Sequence, residues 1–597
     1  MKRRVRKPPK PTAADFLREG NASFRAGRFF LACEAFEKAR KLEPRNAAIL
    51  FNLASAKERV GEVMDAARLL TEAARYRPSW PEAPTRLAFV LGRYKLDSLQ
   101  DLDPHGLLAA FAYDTIDQMP LVAACFEYLR TTTNLGDTLA KAWNGNALEA
   151  AREMILRRTD RVLADRLLQA ALAAEPNSDI AMETLLTAIR CVLFLEVPAE
   201  RFEDKTLTGF VIALIRQLHL NEHVFAISEA ERKALDDLSV DWSALKSGES
   251  EQARRLMLTL LYRPVHQVLP SDIGPDHVGA IRPRILGDLI SNWQEEHLNL
   301  VQAISELTPA KAGKVQCAEP ALRWQSLPMP EVESAKAVLA QNFPQERLAF
   351  LDTPFRVLVA GAGTGKQAIA AAVRYGSKAD VLAIDNSAEN LAYARQRATH
   401  YGLENIRFES ADIANLSDGD KSFDIIETGD ALTGAADPFG EWQALLPLLR
   451  PGGLMLTSLT SGVARRAITA LKNDADYPGA DCSDDIARQY RTSLVENRDD
   501  RAARLTLAPD FYTMSGFRKL VLGEHERPIF MSEIEAFLSG NDLTFRGFQL
   551  SPPIAAHFLQ THNDEKWPGS FASWTRYEED YPRSFDPRYN LWCEKAG

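Results

Sequence analysis

Hydrophobic positions along this chain change period near residue 345, and the change divides it. Before it, Gly27, Ala32, Phe36, Ala39 and Pro44 return thirty-four residues later as Gly61, Ala66, Leu70, Ala73 and Pro78, while Gly20 and Ala54 fill the matching small position of the first helix. Small residues let paired helices cross closely, a large apolar residue fills the space between, and proline ends the unit. A third unit starts across Pro81 to Gly92, so residues 13–110 are expected to be helical repeats. Ala164, Leu168, Ala171 and Pro176 match the second half of one more, a partial repeat near 145–190. About three repeats are needed to bury a continuous core, so the two complete ones are expected to stack on the segment C-terminal to them. From 111 to 344, apolar runs of helical period such as Leu207 to Leu220 and Ala253 to Tyr262, broken by prolines, predict a helical middle region.

Beyond 345, short β-branched runs alternate with helical stretches. Phe355-Arg-Val-Leu-Val-Ala360 breaks into Gly361, Gly363 and Gly365 and then an alanine-rich stretch: strand, tight turn, helix. Glycines let the backbone pass close beneath a ligand, and the helix opening near Lys366 presents unpaired N–H groups. Asp385, ending the next apolar run, can accept hydrogen bonds from two vicinal ribose hydroxyls. Together they describe a nucleoside-containing cofactor across the carboxyl ends of parallel strands. Gly363-Thr-Gly-Lys-Gln-Ala368 also fits a dinucleotide fingerprint, so the choice of cofactor rests on the downstream segments. Asn405 to Ile413 predicts a third strand ending in Asp412, Ser422 to Glu427 a buried fourth, and Leu448-Leu-Arg-Pro-Gly-Gly-Leu-Met-Leu-Thr457 a helix end, a turn and a fifth. Met531 to Leu538, capped by Ser532, predicts a helix, Leu543 to Leu550 a sixth strand, and Tyr589 to Lys595 a seventh, inserted antiparallel, with insertions near 462–530 and 551–588.

This series resembles the class I S-adenosylmethionine-dependent methyltransferases over Phe355 to about Ser461, and the first repeats resemble tetratricopeptide units. With Leu207 to Phe225, Ala464-Arg-Arg466 and Asp510-Phe-Tyr-Thr-Met-Ser-Gly-Phe-Arg518, the whole length resembles bacterial tetratricopeptide-repeat methyltransferases. The resemblance implies a multidomain chain: an all-α N-terminal half and, over 345–597, an α/β Rossmann-like domain of seven strands, the last antiparallel. It implies S-adenosylmethionine as cofactor, with Gly361, Ala362, Gly363 and Gly365 under its methionine part, Asp385 and Asn386 at the ribose, Asp412 and Ile413 at the adenine, and Glu427 at the cleft. Glu427, Asp430, His525 and Glu526 are candidate bases by position.

The sequence departs from that family where an acceptor would sit. Val359 stands where the class has an acid before the glycines. The paired histidines usual after the fourth strand are replaced across Glu427 to Pro438, with Thr433 and Gly434 in their region; Gly523-Glu-His-Glu-Arg527 shifts an imidazole, and Cys317 to Trp324 abbreviates a tyrosine- and proline-rich approach. The expected function is methyl transfer to a protein recruited by the repeats, the alternative a scaffold that binds cofactor without turnover. No D/N-P-P-Y signature is present, which disfavours methylation of adenine or glutamine nitrogen.

Composition narrows the setting. Six cysteines lack paired or metal-ligand spacing, so neither a disulfide framework nor a zinc site is indicated and a reducing cytoplasm fits. His219, His223 and His266 lack a nearby third ligand and are expected to pack or face solvent. A net charge of −10 argues against nucleic acid, and no apolar run approaches a membrane span. The basic opening, residues 1–12, runs into prolines and is expected to be a disordered tail.

Overall fold

The computed structural model describes residues 10–96, 98–156, 159–270, 278–279, 281–307, 323–328, 335–413, 423–429, 431–497, 500–523, 527–562, 567–585 and 587–597. Contacts gather the chain into two compact units, Met1–Gly287 with Trp324–Pro328, and Asp288–Arg323 with Met329–Gly597. The repeats and most of the helical middle region therefore fall in one unit.

The first unit opens with α1 (Ala13–Arg25), α2 (Phe29–Leu42), α3 (Ala47–Arg59), α4 (Val63–Tyr76) and α5 (Glu82–Arg93). Both bounds of α3 and of α4 are those of α1 and α2 displaced by thirty-four residues. The repeated small positions carry the packing: Ala32, Ala39, Ala66 and Ala73 are fully buried, and a methyl group on Gly20 would lie 2.3 Å from the Phe36 ring. Gly27 and Gly61 turn the chain between paired helices at φ 72° and 88°, left-handed values that glycine adopts without steric cost. The third unit departs from the pattern after α5. Its second helix is shortened to α6 (Pro104–Ala110), which starts at Asp103 because that carboxylate accepts from the N–H groups of His105 and Gly106. Gly106 then presses directly on the Thr71 carbonyl of α4.

Farther on, the two predicted apolar runs form the helices Lys205–Leu220 and Ser250–Leu260, and the partial repeat contributes Arg166–Ala174, with Ala164 in the turn before it. A buried cluster links this region: Arg190 donates to Glu231 at 3.1 Å, and the Tyr262 hydroxyl donates to the same carboxylate at 2.6 Å. His223 is buried in the turn after the helix Lys205–Leu220, at φ 54°. Among the described residues no helix is long and apolar enough to cross a membrane, and no group of three His, Cys, Asp or Glu could hold a metal.

In the second unit seven strands form one sheet: β1 (Phe355–Ala360), β2 (Ala379–Asp385), β3 (Ile406–Ser410), β4 (Phe423–Glu427), β5 (Leu449–Thr460), β6 (Leu543–Phe548) and β7 (Arg588–Lys595). Their order is β3-β2-β1-β4-β5-β7-β6, parallel from β3 through β5, with β7 antiparallel to both neighbours. Alternation along the strands divides the side chains between two faces. Leu358, Ala360, Ile426 and Met455 join Trp442, Ile534 and Trp574 in one core. Val357, Val359, Ile425 and Glu427 point the other way. One boundary differs from expectation: the helix Met531–Gly540 is capped at Phe530, whose N–H donates to Glu533 at 2.9 Å, and Ser532 lies inside its first turn.

A methyl group on Gly106 would lie 1.9 Å from the Thr71 backbone oxygen, which has no side-chain freedom with which to give way. Gly106→Ala is expected to lower the unfolding free energy by about 1–3 kcal/mol. Urea denaturation followed by far-UV circular dichroism measures this, and an unchanged midpoint would mean that α4 and α6 do not meet as described.

Candidate active site

The turn after β1 holds three glycines for two different reasons. Gly361, Gly363 and Gly365 have φ of 71°, 52° and 87°. A Cβ on Gly361 would lie 2.4 Å from the Ala431 nitrogen, in the loop after β4, and one on Gly365 would lie 2.4 Å from Ala394 Cβ. A Cβ on Gly363 would meet nothing within 4 Å. The first and third glycines are thus required by the protein's own packing, while the second borders open space at the mouth of the turn. Gly365 also starts the helix Lys366–Tyr375, whose first N–H groups face the same mouth.

Asp385 shapes this turn from the next strand. Its Oδ2 accepts from the Gly363 N–H at 2.8 Å and its Oδ1 from the Ser387 N–H at 2.9 Å. Ser387 in turn caps the helix Ala388–His400. The Ala362 N–H donates to the Ile384 carbonyl at 2.9 Å, and the Ala411 N–H to the Asp385 carbonyl at 3.0 Å. These bonds bring Gly361 to Gly365, Asp385 with exposed Asn386, and exposed Asp412 with buried Ile413 to the carboxyl ends of β1, β2 and β3. Asp412 adds its negative charge to that of Asp437 near Glu441, whose pKa is raised first by burial.

Sequence reasoning missed Gly429. Its φ is 50°, and a Cβ there would lie 2.7 Å from the Gly361 carbonyl oxygen and 2.9 Å from that of Ala360. The loops after β1 and β4 are packed backbone to backbone at this point. A glycine two residues past the end of β4 was the available signal.

Glu427 is placed otherwise than expected. Its side chain is buried beneath the helix Lys366–Tyr375, where Oε1 accepts from Arg374 Nη1 at 2.9 Å and from the Tyr375 hydroxyl at 2.5 Å. The carboxylate raises the pKa of Arg374, and burial foremost raises that of Tyr375, so both donors keep their protons. Glu427 therefore couples the fourth strand to the end of the glycine-turn helix instead of facing the cleft. His525 and Glu526 lie outside the described residues, as does Asp430. Of the described residues that follow them in sequence, Arg527 pairs with Glu533 at 2.6 Å, Thr433 is buried, and Gly434 borders open space. Asp437 caps the helix Pro438–Leu445 through the Gly440 N–H at 3.1 Å, so Ala-Asp-Pro is a helix start.

Both insertions are tied to the carboxyl end of β5. The first leaves after Ser461 and returns beside it, the Gly462 N–H donating to the Ile529 carbonyl at 2.8 Å. The second returns through Glu578, a buried carboxyl that accepts from the Ser461 hydroxyl at 2.6 Å and the Tyr589 hydroxyl at 2.7 Å. Asp510 to Arg518 belongs to the core of the first insertion: Phe511 and Phe517 are fully buried, and Arg491 donates to the Phe511 carbonyl at 2.7 Å.

The fit to a nucleoside cofactor is favourable: an open mouth above Gly363, helix N–H groups facing it, and a fixed carboxylate at the next strand end with acceptor capacity remaining. Residues 352–499 match the family model of a methyltransferase domain. Among solved structures, PKMT2 of Rickettsia typhi in complex with AdoHcy is 14% identical with a TM-score of 0.31, the match covering 45% of this chain and 54% of that one. The plantazolicin methyltransferase BpumL in complex with SAH is 17% identical with a TM-score of 0.25, covering 44% of this chain and 84% of that one. A SAM dependent methyltransferase from Aquifex aeolicus is 11% identical with a TM-score of 0.22, covering 44% and 98%. The chain spans about half the length of the Rickettsia protein it matches.

Glu427→Gln leaves the half-buried Arg374 without its counter-charge and is expected to destabilise the second unit by about 1.5–3 kcal/mol. Thermal melts of the variant measure this, and an unchanged melt would show the ion pair to be dispensable. Burial also raises the Glu578 pKa above its ordinary 4.5, so the folded protein holds this proton more tightly than the unfolded chain. The resulting stability is fully present below the unfolded value and is lost as pH rises through the folded one. Urea titrations between about pH 4 and 7 are expected to show a falling limb that Glu578→Gln flattens.

Proposed function

We propose that this protein transfers a methyl group from S-adenosylmethionine to a protein acceptor in the cytoplasm, and that its N-terminal helix pairs act as tetratricopeptide repeats that present the acceptor. The methyltransferase domain over residues 352–499 has S-adenosylmethionine as its cofactor. The observation that carries the reading is the bond from the Gly363 N–H to Asp385, which holds the turn open and a carboxylate at its rim. Gly361, Ala362, Gly363 and Gly365 form the floor for the methionine part, Asp385 and Asn386 take the ribose, and Asp412 and Ile413 bound the adenine. Because Val359 is fully buried and carries no acid, the cofactor's amino group is held by other groups.

S-adenosylmethionine supplies an already activated methyl on a sulfonium. The protein's own contribution is to align the acceptor and exclude water, with a base only where the acceptor carries a proton to be lost. The insertions anchored at Ser461, Ile529 and Glu578 are the source of the walls that do this. His525 and Glu526 remain the proposed bases on the first insertion. Glu427 acts as a positioning residue, fixing the helix whose start faces the cofactor.

A second reading, a cofactor-binding scaffold without turnover, is favoured by that same engagement of Glu427 with Arg374 and Tyr375, which takes a strand-end carboxylate out of acid–base chemistry. Turnover on proteins that co-purify with the N-terminal half separates the two readings.

Asp385→Ala is expected to weaken S-adenosylmethionine binding roughly ten- to a hundredfold, since a charge-assisted hydrogen bond contributes about 1.5–3 kcal/mol. Isothermal titration calorimetry on the folded variant measures this, and undiminished affinity would remove the ribose assignment.

A further inference from the structure

A cavity of about 600 Å³ opens in the helical middle region, and every residue of its lining belongs to the first unit. It lies among the short helix Ala199–Glu203, the start of the helix Lys205–Leu220, the helix Ser250–Leu260 and the stretch Arg282 to Ile285. Small-molecule sites have volumes of about 300–1,000 Å³. The elements around this one serve neither the cofactor turn nor the N-terminal repeats.

Its floor is apolar. Phe202, Ala253 and Met257 are buried, and the hydroxyl of Thr208 beside them is already committed, donating to the Phe202 carbonyl at 2.8 Å. Such a floor offers a ligand dispersion contact and removal from water, so the part that enters it is apolar. Ile285, 48% exposed, extends this wall outward. The charges stand at the mouth. Arg254 and Glu251 neutralise one another through two bonds of 2.7 Å. Glu200, Glu203 and Lys205 are exposed and make no ion pair among the described residues. Arg282, also exposed, differs from them in being fixed: its Nη1 donates to the Gly279 carbonyl at 2.9 Å and to the Ile281 carbonyl at 3.0 Å. Those bonds use both Nη1 hydrogens and leave Nε and Nη2, the edge that grips a carboxylate with two parallel bonds. A guanidinium held in this way gives up little rotamer freedom on binding, whereas the acids at the same mouth have all of theirs to lose.

We propose that this cavity binds a small organic acid, an aliphatic chain ending in one carboxylate. The chain lies against Phe202, Ala253 and Met257, and the carboxylate takes the free edge of Arg282. Met257 suits a flexible chain, because an unbranched thioether adapts its shape to what packs on it. Lys205 adds a second positive charge at the mouth. Glu200 and Glu203 oppose an anion only weakly, since exposed carboxylates are screened by water and salt. Nothing in this site requires methyl transfer, so a protein inactive toward S-adenosylmethionine binds the same acid.

Isothermal titration calorimetry of the full-length protein at neutral pH with hexanoate, octanoate and decanoate is expected to show affinity rising about tenfold for each pair of added methylene groups. Octanol and octylamine keep the chain and change its head, and both are expected to bind roughly tenfold more weakly than octanoate. Arg282→Gln removes the free edge at an exposed position and should weaken decanoate roughly tenfold with an unchanged melting temperature. Ala253→Leu fills the floor and should weaken decanoate more than hexanoate; if that variant fails to fold, Arg282→Gln still decides. No binding of decanoate by the wild type, affinity that does not rise with chain length, or equal binding of decanoate by Arg282→Gln would each overturn the proposal. Octylamine bound more tightly than octanoate would assign the mouth to Glu200 and Glu203 and overturn it as well.

Discussion

The site depends on one close approach, the meeting of the loops after β1 and β4 at Gly361 and Gly429. Each glycine sits where a side chain would strike the other loop's backbone, at 2.4 Å from the Ala431 nitrogen in one direction and 2.7 Å from the Gly361 oxygen in the other. Loops packed this closely leave the mouth of the turn to Gly363 and set the spacing between β1 and β4 at the carboxyl edge. Asp385 then has a turn to hold, and its bonds to Gly363 and Ser387 extend the same rigidity to β2 and its helix.

Glu427 supports this arrangement from the opposite end of the glycine-turn helix. A buried carboxylate is costly unless paired, and Arg374 and Tyr375 satisfy it. The pair secures the helix by its last turn while Gly365 secures it by its first. A pocket that must present N–H groups to a ligand needs such a helix held at both ends, and that rigidity withdraws one strand-end carboxylate from chemistry.

The N-terminal unit is built on a different rule. Its repeats use small residues to bring helices together. Where the third repeat loses its full second helix, the fit of Gly106 against α4 and the Asp103 cap allow the shortened α6 to close the stack. The motifs of Leu207 to Phe225 and Asp510 to Arg518, which stand out in the sequence, are largely core: eleven residues of the helix Lys205–Leu220 are buried, as are Phe511, Tyr512 and Phe517. Their distinctiveness reflects packing demands.

Much of the molecule was legible from local pattern. The thirty-four-residue repeat, the strand-glycine-helix opening, Asp385 and the antiparallel seventh strand follow from periodicity, glycine placement and resemblance, because each depends on contacts close in sequence or on a recurrent fold. Helix starts were less secure, as the cap at Phe530 in place of Ser532 shows, since the choice between adjacent caps depends on which side chain reaches back. The partners of Glu427, the role of Gly429 and the burial of Glu578 against Ser461 and Tyr589 were not legible. The bonds of Glu427 and the bond of Glu578 to Ser461 join residues between 52 and 117 positions apart, and Gly429 depends on the approach of two loops; no local pattern encodes such a distance. Residue pattern alone dictates which segments become strands and helices and where glycine must stand. Which carboxylate holds the turn and which is held beneath a helix is settled by packing, because burial and the partner a charge meets there are properties of the folded chain.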